Sequence, residues 1–170
     1  MAPTASYHPL TLASLFFLFS ILGWILETLS YLTMEGVFLN RSILLGPWIP
    51  LYGICGVLSV TMLHRFAKNP ILAFCMNGLL YSVIGYLSDF TVQMIWHADL
   101  HKISQYFCPS LLPPFFADAM FLGLIGCTCQ YFIAPKWKQV TRKIPLWFLL
   151  CVCVLLGMLM LLDVFFAFYR

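Results

Sequence analysis

Residues 144–162 read IPLWFLLCVCVLLGMLMLL, a run of 19 positions without one charge between Lys143 and Asp163. At about 1.5 Å of rise per residue, a helix of this length nearly crosses the roughly 30 Å hydrocarbon core of a bilayer. The run is continuously apolar and does not alternate, which argues for a helix over a strand of a transmembrane barrel. Four more charge-free runs occur, at 1–26, 42–64, 69–88 and 119–135. Together they predict an all-α, polytopic transmembrane helical bundle of about five spans, at approximately 9–33, 48–66, 71–96, 114–134 and 145–168, in one membrane domain over 1–170.

Composition points the same way. The 170 residues are 62% hydrophobic and 9% charged, against roughly 45–50% and 25% in soluble domains. That leaves too little polar surface to cover a globule in water, which excludes a soluble enzyme, a nucleic-acid binder and a disordered chain. The expected partner is the lipid bilayer, and a net charge of +3 calls for no nucleic acid. The first run lacks a basic leader and a small-residue cleavage site and is closed by Glu27, so it reads as a retained helix rather than a signal peptide. Nothing in the sequence calls for a cofactor.

Five spans put Arg65, Lys68, Lys136, Lys138, Arg142 and Lys143 on one side, against Arg41, Lys102 and Arg170 on the other. The positive-inside bias then favours N-in and C-out. Trp48, Trp96, Trp137 and Trp147 fall near span ends, where indole rings prefer the interface. The basic segment Lys136–Lys143 suits anionic headgroups, although a plain topology signal explains it equally.

Seven cysteines, six inside proposed spans, allow no disulfide framework. Cys127-x-Cys129 and Cys151-x-Cys153 resemble ligand pairs, but residues two apart on a helix point to nearly opposite sides. They read as small packing residues.

The acids carry more information. Glu27, Asp89, Asp118 and Asp163 fall within the predicted spans, where a charged carboxylate costs at least about 2.5–3.5 kcal/mol at mid-depth. The topology puts all of them toward the outer face. On span 1, Ser20, Trp24, Glu27 and Tyr31 recur at helical steps, and Gly23 leaves room for a close neighbour. On span 3, Asn77, Tyr81, Gly85, Asp89 and Gln93 do the same. Gly53, Gly56 and Val60 on span 2, and Ala119, Gly123 and Cys127 on span 4, form small-residue faces for tight helix contact. Arg41 is the candidate counter-ion for Glu27 or Asp89. This cluster is either an ion pair that fixes helix positions or a polar cavity that holds a ligand. Asp118 and Asp163, nearer the interface, are expected to be hydrated.

The loops around 36–50 and 97–113 complete the reading. Residues 36–46 are mostly apolar, and Gly46-Pro47-Trp48-Ile49-Pro50 stops any helix before span 2, so this loop is expected to fold back onto the helices. His97, Asp99 and His101 alternate in the second loop and are weak candidates for a transition-metal site. The commoner reading is interfacial histidines without metal.

Gly23-Trp24-x-x-Glu27, then Phe38-x-Asn40-Arg41, then Gly46-Pro47-x-x-Pro50-x-Tyr52-Gly53-x-x-Gly56 resemble the bacterial ABC-transporter type IV (ABC transporter permease) family. The match is strongest over 16–56. Ser42 replaces a usual glycine, and the C-terminal half departs from the pattern, with Gly85-Tyr86-Leu87-Ser88 standing where the family typically has acids. The resemblance implies a multi-pass protein of the bacterial cell membrane, linked to transport. It adds Trp24, Asn40 and Tyr52 to Glu27, Arg41 and Asp89 as the candidate polar cluster. No phosphate loop of the G-x-x-x-x-G-K-[ST] form occurs, so ATP hydrolysis in such a system falls to a separate ATPase subunit.

Three functions follow as expectations. The first is a permease or permease-like transport subunit with a polar site in the outer half of the membrane. The second is a non-catalytic assembly or accessory protein, and the third a lipid-acting intramembrane enzyme using His97, Asp99 and His101. Five spans are few for a whole transport path, which suggests a homo- or hetero-oligomer.

Overall fold

The computed structural model describes residues 7–36, 46–66, 68–96 and 114–168. Helix α1 runs Pro9–Glu35, α2 Pro50–Met62, α3 Pro70–Trp96, α4 Pro114–Thr128, α5 Ala134–Thr141 and α6 Leu146–Phe168. A 3-10 turn, Leu63–Phe66, extends α2, and a π-helical segment, Cys129–Ile133, joins α4 to α5. No strand occurs among the described residues.

The helix starts follow from proline. α1 to α4 each begin on one, where the missing N–H costs no intrahelical bond and the fixed φ suits the first turn. The α1 end is equally local: Gly36 adopts φ 68°, and its N–H donates to the Leu32 carbonyl at 3.0 Å. A left-handed glycine of this kind is a common helix stop. Pro135, in the first turn of α5, cannot donate to the Tyr131 carbonyl four residues back. The ladder slackens into π geometry just before it.

The chain forms two compact units. One holds Leu58–Ile133, and the other Ala5–Val57 with Ala134–Arg170. In the second unit, α1 and α6 share a core of Phe17, Leu149 and Cys153, edged by Phe16, Leu156 and Met160. Gly53 and Gly56 let the first half of α2 approach α1 closely. A Cβ on Gly53 would fall 2.7 Å from the Phe16 carbonyl oxygen, and one on Gly56 would enter the Phe19 ring. In the first unit α3 packs on α4, where a Cβ on Gly123 would lie 3.0 Å from the Phe74 carbonyl oxygen and one on Gly126 2.7 Å from Asn77. Small residues at such crossings are how apolar helices associate when lipid is as greasy as the helix.

The outward residues explain where this fold is stable. Ile71, Leu79, Leu155, Leu161 and Phe166 are each more than half exposed. A surface of that kind matches hydrocarbon rather than water. Three helical stretches, Pro9–Ser30, Pro70–Leu87 and Leu146–Ala167, are long and apolar enough to cross a membrane, and Pro50–Met62 is a shorter apolar helix. Of the described cysteines, Cys55, Cys129 and Cys153 are buried, whereas Cys75 and Cys151 are exposed.

Gly53→Ala should be destabilising by roughly 1–3 kcal/mol, because its methyl meets backbone that cannot move aside. Gly85→Ala, whose Cβ meets nothing within 4 Å, should be neutral or slightly stabilising. Thermal unfolding of the detergent-purified variants checks the contrast.

Candidate functional site

Glu27 lies on α1 one turn beyond Gly23. Because Gly23 has no side chain, the Tyr52 ring of α2 rests directly on the α1 backbone. From there the Tyr52 hydroxyl donates to Glu27 Oε1 at 3.1 Å. Trp24 and Glu27 are both half-buried. The next residue, Thr28, is 5% exposed, and its Oγ1 has no hydrogen-bond partner among the described residues. The carboxylate is thus aligned by a phenol and could accept further donors from a cationic or hydroxylated ligand.

The stretch leading into α2 is held by a second acid. Asp163 Oδ2 accepts the Gly46 N–H at 2.7 Å and the Trp48 indole N–H at 2.9 Å. Beside them, the Ile49 N–H donates to the Ser20 carbonyl of α1 at 3.0 Å. Residues 46–49 therefore fold back onto helices; of the 36–46 loop expected to do so, 37–45 lie outside the described residues. This corrects one expectation. Asp163 is not hydrated: it is 8% exposed, because two donors on the incoming loop replace water. Trp48 is equally buried, its N–H committed to that carboxylate. Trp137 donates to Ser14 Oγ at 2.9 Å, and Trp147 is 68% exposed.

The unit of α3 and α4 holds a separate polar core. Asn77, fully buried, accepts from Ser59 Oγ at 2.5 Å. Its Nδ2 donates to Gln130 Oε1 at 3.0 Å and to the Ala73 carbonyl at 2.8 Å. Gln130, within the π segment, donates onward to the Leu63 carbonyl at 3.1 Å, a group left open where α2 ends. Ser59 and Gln130 went unnoticed in the sequence. The signal available was their position as uncharged polar residues within apolar spans, which usually seek a partner on another helix.

Of the candidate cluster, the structure brings Glu27 and Tyr52 together and sets Trp24 on the same helix. Asn40, Arg41, His97, Asp99 and His101 lie outside the described residues, as do the side chains of Asp89 and Asp118. Among the described residues no group of three or more His, Cys, Asp or Glu side chains could hold a metal ion.

Asn77→Leu should lower the melting temperature markedly. It removes two bonds to other helices, each worth roughly 0.6–2 kcal/mol in a membrane protein, and leaves Gln130 and Ser59 short of a partner. Unfolding of the purified variant in detergent gives the shift; an unchanged midpoint would mean the network contributes nothing.

No curated protein and no solved structure matches the chain. The family model "Putative ABC-transporter type IV" matches residues 14–168, well beyond the 16–56 stretch where the motifs are densest. With three helices apolar enough to cross a membrane, the match makes this a membrane protein associated with transport, and the chain belongs to that family.

Proposed function

We propose that the chain is the permease or permease-like subunit of an ABC-type transport system in a bacterial cell membrane, spanning the bilayer five times with its N-terminus inside. The observation that carries this reading is the family match over 14–168, together with the three apolar helices. A separate ATPase subunit supplies the energy, since the sequence has no phosphate loop of its own. The basic residues Arg65, Lys68, Lys136, Lys138, Arg142 and Lys143 favour the proposed orientation.

In this reading Glu27, with Tyr52 donating to it, anchors a ligand site on α1. The further residues proposed for it are Trp24, Asn40 and Arg41. A second reading, an accessory subunit that serves assembly, is favoured by a specific observation. Asp163 and Asn77, two buried polar residues that the apolar helices carry, take their hydrogen bonds from the chain itself.

The two readings part on Glu27→Gln. In cells overproducing the protein, the solutes gained or lost are compared by mass spectrometry with cells carrying the variant. A permease site predicts at least one solute whose change falls about tenfold or more, as expected when a charge-bearing hydrogen-bond acceptor is lost, at unchanged protein yield. An accessory role predicts lower yield or lower recovery of the ATPase, and no separate loss of solute movement.

A further inference from the structure

α1, α5 and α6 line a half-open cavity of about 340 Å³ at the N-terminal end of α1. This is within the range of small-molecule sites, roughly 300–1,000 Å³. Its polar lining comes from His8, Thr11, Lys138, Thr141 and Arg142. No carboxylate lines it, and the stretches that supply the lining, 8–11 and 138–149, contain none.

Two details make it more than a cluster of surface cations. Thr11 is 7% exposed and lines the cavity, where its hydroxyl can donate to an acceptor. Lys138 Nζ is steadied 4.7 Å over the Tyr7 ring, and burial pushes the Tyr7 phenol above its ordinary range, so the ring stays neutral under the cation.

The rest of the wall is apolar: Ile144, Leu146 and Leu149. From Leu146 a stripe continues along α6 at four-residue steps through Leu150, Val154 and Met158, each between 47% and 59% exposed. Cations and a hydroxyl at one end of an exposed apolar track match one kind of molecule. We propose that the cavity binds the phosphate of an anionic glycerophospholipid, whose acyl chain lies along Leu146, Leu150, Val154 and Met158. Free phosphate satisfies the polar lining but leaves that track without a purpose.

The test is native mass spectrometry of the full-length protein in detergent, titrated with phosphatidylglycerol, phosphatidylcholine or inorganic phosphate. The expected result is one retained phosphatidylglycerol per chain, little phosphatidylcholine, and no displacement by inorganic phosphate. Arg142→Gln and Lys138→Gln should each weaken retention about fivefold, the effect of one lost headgroup contact. Thr11→Val, which keeps the side-chain volume, should weaken it as well and guards against a variant that misfolds. Lys136→Gln and Lys143→Gln, outside the cavity, should change it less than about twofold. Equal losses from all four cation variants would overturn the site in favour of general surface attraction. Displacement of the lipid by inorganic phosphate would overturn the lipid in favour of a soluble anion.

Discussion

Hydrocarbon offers no hydrogen bonds, so every polar group carried into it must find a partner within the protein, and this constraint organises the chain. Asp163 shows it most plainly. It sits in α6, otherwise a helix of apolar residues, where a carboxylate costs at least about 2.5–3.5 kcal/mol on insertion scales. Two donors meet its Oδ2, the Gly46 N–H and the Trp48 indole. Bonds to an acid of this kind contribute roughly 1.5–3 kcal/mol each, enough to offset the cost. The same contact fixes residues 46–49, from which the Ile49 N–H reaches the Ser20 carbonyl. One carboxylate thereby determines how the chain enters α2 and where α6 lies against that entry.

The glycines act alongside the polar groups. Gly53 and Gly56 bring α2 onto α1, and Gly23 makes space for the Tyr52 ring whose hydroxyl reaches Glu27. The motif Gly23-Trp24-x-x-Glu27 with Tyr52-Gly53-x-x-Gly56 is thus a steric and polar unit: absent side chains set the separation, and a phenol and an acid use it. In the other unit Gly126 meets Asn77 in the same way, and Asn77 bonds to Ser59 and Gln130. Close approach and polar pairing occur at the same places because a short polar side chain bridges only helices that nearly touch.

The helices themselves could be read from the chain. Charge-free runs placed the starts of α1, α2, α3, α4 and α6 within two residues of those observed, whereas the polar helix α5 had no such signal. Gly23 and the Gly46–Pro50 breaker were likewise visible, since each depends on local geometry. The pairing of Asp163 with Gly46 and Trp48 was not, because the partners are 115 or more residues apart and no periodicity connects them. Nor was the Asn77 network, which needs the α3–α4 crossing and the π turn at Gln130 before its partners can meet. Glu27 stood out as an acid in an apolar run, but its partner Tyr52 entered only through a family motif.

The central claim is that the internal pairing of Asp163 and Asn77, buried polar residues of apolar helices, holds the structure. A double-mutant cycle on Asp163→Leu and Trp48→Phe, with unfolding free energies measured in mixed micelles, tests it most directly. The account predicts a coupling of roughly 1–3 kcal/mol between the two sites, in the range found for residues in contact. Additive effects, with coupling below about 0.5 kcal/mol, would contradict it.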